Sequence, residues 1–302
     1  MNTPCCDCIR KCSVSRSLSR ETAGSKGIYG FCGVPRNPVI ARAGLHFWEE
    51  PCISGKNGSG TVFFSGCNLR CVYCQNYQIS TGLEGKETSE ERLKQIYQEL
   101  IAQGAHNINL VTPGHYISAV AESLKEPLRV PVVCNTNGYD SPESLHRLEG
   151  KVQIYLPDFK YADNALALKY SHAPDYFETA SAAILEMFRQ VGPYEMDEKS
   201  GLLKKGVVIR HLILPGNVSN SLRVIDWVSD HFKPGEVLFS LMRQYVPHGK
   251  VESFPELQRV VTDEEYELVE SHLFDSSIED GFVQDEESAS KDYIPPFDGS
   301  GV

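Results

Sequence analysis

An excess of basic residues is missing from this chain. Lys and Arg number 29 against 40 Asp and Glu, a formal charge of −11 over 302 residues, with a pI near 5.3. That balance argues against a nucleic acid or an anionic membrane held by bulk electrostatics. No run of about twenty apolar residues exists, so no membrane span is expected. The opening residues, MNTPCCDCIRKC, lack the apolar stretch of a secretory signal, and a cytoplasmic location is expected. No G-x-G-x-x-G follows the first strand-like run, which lowers a dinucleotide reading. The phosphate-binding G-x-x-x-x-G-K-[ST] and the zinc motif H-E-x-x-H are absent as well, and no local motif suggests a Ser–His–Asp set. Hydrolase and nucleotide-triphosphatase readings weaken accordingly.

What the chain does have is ten cysteines. In a reducing compartment these read as metal ligands or small buried apolar residues before they read as disulfides. Six fall in residues 1–60, which are rich in Gly, Ser and Pro and form an expected Cys-rich N-terminal extension. Residues 61–247 alternate short β-like runs with helical patterns and are expected to form the core barrel. Residues 248–302 are turn-rich and acidic, above all from Asp275 to Ser288, and are expected to form an irregular extension that packs on or covers the barrel.

The middle region reads unit by unit. Strands are expected at Thr61–Gly66, Asn107–Pro113, Pro131–Gly138, Val152–Lys160, Gly206–Gly216 and Glu236–Pro247. Between them, Leu93, Ile96, Tyr97, Leu100 and Ile101 repeat at helical spacing behind a capping box at Thr88 and Glu91. Further helices are expected in YISAVAESL, in SPESLHRL with Pro142 in its first turn, in a broken stretch from Asn164 to Val191, and in SLRVIDWVSDHF. Six strands alternating with helices imply a parallel sheet. Periodicity alone does not separate a doubly wound sheet from a partial barrel. In both, the loops after the strands' C-terminal ends collect the active site. Here those loops read SGCN, TPGH, NTNG, DFK and LPG.

The first of them continues as SGCNLRCVYCQN, with Cys67, Cys71 and Cys74 in the spacing C-x3-C-x2-C. A cubane iron–sulfur cluster wants one thiolate per iron. Three cysteines on one loop can hold three irons and leave the fourth open for a substrate or cofactor, as an open position does in catalytic zinc sites. The alternative is a zinc site that borrows Cys52 or a histidine. Tyr73, directly before the third cysteine, places an aromatic ring beside a ligand. A second four-thiolate site, for zinc or another cluster, can be drawn from Cys5, Cys8, Cys12 and Cys32. Cys134, inside an apolar strand, reads as a small buried residue.

This motif, placed after the first strand of a six-fold βα-repeat, resembles the radical S-adenosylmethionine (radical SAM) superfamily. The resemblance implies a partial TIM-like (β/α)6 barrel and a [4Fe–4S] cluster whose open iron binds SAM. It also implies reductive cleavage of SAM to a 5′-deoxyadenosyl radical and removal of a hydrogen atom from a substrate. GCNLRCVYCQN, CNTNGYD, LPDFKYAD and VVIRHLILPG are similar, in order, to segments of the glycyl-radical enzyme activases. The Cys-rich N-terminus and HFWEEPCISG (His46–Gly55) look closest to the pyruvate formate-lyase activating enzyme-like branch.

Carried over residue by residue, Cys67, Cys71 and Cys74 match the cluster ligands, and Tyr73 matches an aromatic near the adenine. Asn135, Thr136 and Asn137 match a segment near the SAM methionine and ribose. Asp158 and Lys160 match an Asp-x-Lys pair, and Arg210 an arginine on the fifth strand. A cation here suits a carboxylate. Two departures stand out. Where activases carry Gly-Gly-Glu this chain has VTPGH, so Thr112, His115 or backbone carbonyls would take that role. Asn135 stands where activases have Asp. His46 is a further contact candidate, while Trp48, Glu49 and Glu50 are expected to pack the N-terminal segment onto the barrel. The partners implied are a glycyl-radical enzyme or another peptide substrate and a flavodoxin- or ferredoxin-type electron donor. A small-metabolite substrate, or a non-catalytic cluster- or zinc-binding protein, is the alternative.

Overall fold

The computed structural model describes residues 4–17, 19, 29–284 and 295–302. The sheet elements and main helices follow in chain order as β1 (Val39–His46), β2 (Ser59–Phe64), β3 (Lys86–Glu87), α1 (Glu90–Ala102), β4 (Ile108–Val111), α2 (Ile117–Ser123), β5 (Val132–Thr136), β6 (Ile154–Pro157), α3 (Asn164–Ser171), α4 (Tyr176–Val191), β7 (Glu195–Met196), β8 (Leu203–Leu212), α5 (Val218–His231), β9 (Leu238–Met242), α6 (Asp263–Phe274) and β10 (Gly281–Val283). The ten strands share one sheet, ordered β10-β9-β8-β6-β5-β4-β2-β1-β3, with β7 beside β8.

The six strands expected from sequence are β2, β4, β5, β6, β8 and β9, and they run parallel to one another. Each of β2, β4, β5, β6 and β9 is buried along its full length, as parallel strands covered on both faces must be. Helix α1 turns Leu93, Ile96, Tyr97 and Leu100 inward. Burying a side chain of this size stabilises the fold by about 1.5–3 kcal/mol. Its N-cap is Ser89, whose side chain accepts from the Arg92 amide. That is one residue later than the Thr88 expected from sequence, whose hydroxyl donates to the Lys86 carbonyl. The broken helical stretch separates into α3 and α4 where His172 takes a left-handed conformation, followed by Pro174.

Both ends of the sheet hold elements the sequence did not announce. Strand β1 lies antiparallel on β2. The C-terminal extension is less irregular than expected: α6 starts with a Thr262–Glu265 capping box, and β10 adds a parallel strand to β9. Gly299 and Ser300 then pair with Ala41 and Ala43 of β1. The later part of the acidic segment, residues 285–294, lies outside the described residues.

Candidate active site

The loop after β2 is fixed from several sides. The Val72 amide donates to the Tyr170 carbonyl (2.8 Å), and the Lys250 amide donates to the Val72 carbonyl (2.6 Å). Cys67, Cys71 and Cys74 line a common cavity of about 730 Å³. Each sulfur receives a polar side-chain donor. Asn137 Nδ2 lies 3.3 Å from Cys67 Sγ, Ser171 Oγ 3.0 Å from Cys71 Sγ, and Ser80 Oγ 3.4 Å from Cys74 Sγ. Burial pushes the free thiols up, Cys74 to about 11, with mutual repulsion raising Cys67 further. Thiolates at this depth need a cation or a metal to be favourable. Lys160 acts on Cys71 in that sense, against burial. The set therefore fits a metal cluster held by three thiolates.

Arg210 of β8 is the hub of the facing wall. Its guanidinium donates to Asp158 Oδ1 (2.9 Å), Glu49 Oε2 (3.0 Å) and Asn135 Oδ1 (2.7 Å). Lys160 Nζ lies 2.5 Å from Asp158 Oδ2. Burial alone would raise Asp158, but Arg210 and Lys160 together hold it below the ordinary carboxylate range. Glu49 and Glu50 are pushed up by burial, with Arg210 opposing.

Eleven of the barrel residues singled out from sequence line this cavity: the three cysteines, Tyr73, Thr112, Asn135, Thr136, Asn137, Asp158, Lys160 and Arg210. The Tyr73 hydroxyl is 2.6 Å from that of Tyr161, which is 2.6 Å from Ser171 Oγ, the donor to Cys71. Thr112 is held at φ +57°, a conformation that costs a β-branched residue on the order of 1–3 kcal/mol. His46 also lines the cavity. His115 does not: it is buried behind the loop, with Nε2 2.8 Å from the Ser65 carbonyl. Cys52 packs with Ile53, Val133 and Ile154 in a separate apolar cluster, away from the three cysteines. Cys134 is buried in the core.

Sequence reasoning missed the part played by Glu49 and Glu50. They line the cavity, whereas Trp48, which also lines it, stays 63% exposed. Glu49 Oε1 accepts from both Asn135 Nδ2 and Asn109 Nδ2, each at 3.1 Å. A carboxylate thus stands beside Asn135, where activases carry their own Asp. Two adjacent acids inside the otherwise apolar HFWEEPCI were the available signal.

The radical SAM superfamily profile matches residues 61–228, more than half of the chain. The chain belongs to the radical SAM superfamily. Membership implies a [4Fe–4S] cluster and SAM, and catalysis by radical chemistry. The chain is also 29% identical over 274 residues to the uncharacterized protein MJ0674 of Methanocaldococcus jannaschii, spanning 87% of this chain and 72% of that one. Among solved structures, it is similar to the FeFe-hydrogenase maturase HydG from Carboxydothermus hydrogenoformans, with 13% identity, a TM-score of 0.47 and coverage of 78% of this chain and 56% of that one. It is similar too to Streptococcus suis SuiB bound to S-adenosylmethionine, with 9% identity, a TM-score of 0.45 and coverage of 72% and 48%. This chain thus spans about half of either solved protein. Among the described residues, no helix is long and apolar enough to cross a membrane.

Proposed function

We propose that this protein uses a [4Fe–4S] cluster on Cys67, Cys71 and Cys74 to cleave SAM reductively and abstract a hydrogen atom. One juxtaposition carries the proposal: among the described residues, three cysteines and no fourth line the same cavity as Asp158, Lys160 and Arg210. When bound, the cluster and SAM supply one-electron cleavage to a 5′-deoxyadenosyl radical that takes a hydrogen atom from the substrate. The chain's own residues do the rest. Asn137, Ser171 and Ser80 donate to the three sulfurs and so steady their negative charge. Lys160 offers a cation to the SAM carboxylate from a position fixed by Asp158. Tyr73 presents a buried ring beside the third ligand. Thr112, Asn135, Thr136 and Asn137 supply polar edges around the methionine and ribose, and Arg210 orders that wall.

The substrate we assign is a glycine of a partner protein, converted to a glycyl radical. Its support is the ordered likeness of GCNLRCVYCQN, CNTNGYD, LPDFKYAD and VVIRHLILPG to activase segments. Two spectra test the two levels of the proposal. After anaerobic cluster reconstitution and reduction, adding SAM is expected to change the cluster's electron spin resonance; an unchanged spectrum refutes SAM binding at the cluster. Incubation with candidate glycyl-radical enzymes is expected to give a glycyl doublet. SAM consumption without that doublet on any candidate moves the substrate to another peptide or a metabolite.

A further inference from the structure

The cavity uses three of the ten cysteines. Four others, Cys5, Cys8, Cys12 and Cys32, come together against the stretch that leads into the cluster loop. The Cys32 carbonyl lies 2.9 Å from where a Cβ on Gly66 would stand. Arg10 Nε donates to the Asn68 carbonyl (2.9 Å) and Arg70 Nη2 to the Phe31 carbonyl (2.7 Å). All four thiols are free of disulfides. Cys8 and Cys32 are buried, and each stands within electrostatic reach of the other and of Cys5 and Cys12.

Every one of these sulfurs has an N–H aimed at it. Arg16 Nη1 lies 3.6 Å from Cys5 Sγ, and the Phe31 amide 3.5 Å from Cys12 Sγ. The Arg10 amide serves Cys8 and the Val34 amide serves Cys32. The last two donors come from two residues downstream, the same local turn by which the Leu69 amide meets Cys67 Sγ at 3.3 Å. A neutral thiol is a weak acceptor, so four donors on four thiols suit sulfurs that carry charge. The Arg16 side chain, only 2% exposed, sits among them and also donates to the Val34, Pro35 and His115 carbonyls. A guanidinium this deep is costly without negative charge around it. Asp7, 3.8 Å away, supplies part of that charge.

Among the described residues, no three Cys, His, Asp or Glu side chains converge on one point closely enough for a single metal ion. That holds for Cys67, Cys71 and Cys74 as well as for the N-terminal four. Zinc needs all its sulfurs about 2.3 Å from one centre, whereas a cubane cluster distributes thiolates over separate irons. The N-terminal set shares with the cluster loop its local donor turn, the amide two residues downstream meeting Cys8 and Cys32 as it meets Cys67. We infer that Cys5, Cys8, Cys12 and Cys32 ligate a second iron–sulfur cluster, one with all its cysteine ligands supplied by the chain. Gly30 completes the cradle, because a Cβ there would stand 3.1 Å from Cys12 Sγ. Cys6, exposed, lies outside the set.

The test removes the first site and asks what is left. A Cys67→Ala, Cys71→Ala, Cys74→Ala variant is reconstituted anaerobically with ferrous iron and sulfide, and its iron, acid-labile sulfide and zinc are measured. It is expected to keep one cluster's worth of iron and sulfide, to lose it when Cys8→Ser and Cys32→Ser are added, and to keep it with Cys6→Ser. No iron in the triple variant, stoichiometric zinc, or iron indifferent to Cys8→Ser and Cys32→Ser overturns the inference. The parent chain gives a check that needs no substitution: about six to eight irons per chain are expected, for a two-iron or a four-iron second cluster, against about four if the loop alone is loaded.

Discussion

Single residues carry the tension between stability and function in this barrel. Thr112 holds a left-handed conformation in the cavity wall. Thr112→Gly is expected to raise stability by about 1 kcal/mol by removing the strain while weakening SAM binding; denaturant midpoints and SAM titration read the two effects separately. A variant less stable than the parent would show that the side chain's contacts outweigh the strain. Lys160→Ala leaves Asp158 still paired with Arg210, so the fold is expected to survive. SAM affinity is expected to fall about tenfold, equal to about 1.4 kcal/mol, and an unchanged affinity would remove Lys160 from the SAM site. At this scale the sequence was most legible where a local motif fixes the residue. Cys67, Cys71 and Cys74 declare themselves by spacing. Glu49 does not, since its partners Asn109, Asn135 and Arg210 lie 60 to 161 positions away.

At the scale of elements, the ends of the sheet decide how the cavity is bounded. Strand β10 is three residues long and depends on close backbone approach to β9. A Cβ on Gly281 would lie 1.8 Å from the Phe239 carbonyl oxygen, at φ +157°. Gly281→Val is therefore expected to detach β10. Hydrogen exchange should accelerate at residues 281–284 and spare β5, while equal protection in parent and variant would contradict this placement. The six parallel strands were legible because Val- and Ile-rich runs are punctuated by Gly and Pro. Strands β1 and β10 were not. In β1, Arg42 and Gly44 interrupt the apolar pattern, and the pairing shifts register between Ile40 and Arg42. In β10, the few apolar residues sit in an acidic stretch and are fixed only by the register with Phe239–Leu241. Paired edges of this kind are set by tertiary contact rather than by local propensity.

For the molecule as a whole, buried histidines set the acid limit. Burial lowers His115 to about 3 and His211 to about 4, from an ordinary value of 6.5. The unfolded chain takes up these protons near pH 6.5, and the folded chain resists until far lower. Their contribution is thus complete above pH 6.5 and is lost as pH falls toward 4. Asp140 acts in the opposite sense: burial raises it to about 6, so its contribution is complete below pH 3.8 and fades as pH rises through 6. His46, lowered to about 4, acts with the two histidines, while Glu49 and Glu50, raised by burial, act with Asp140, so the histidine part is read as a difference between two proteins. From pH 7 to pH 5 the parent's denaturant midpoint is expected to fall relative to that of His211→Gln; the same pH dependence in both would contradict it.

The central claim is that Cys67, Cys71 and Cys74 support reductive cleavage of SAM. The most direct measurement is 5′-deoxyadenosine formed by the iron- and sulfide-reconstituted protein with dithionite and SAM under anaerobic conditions, beside a Cys71→Ser control. The account expects product from the parent and none from the variant. A cluster-loaded parent that forms no more 5′-deoxyadenosine than Cys71→Ser would contradict it.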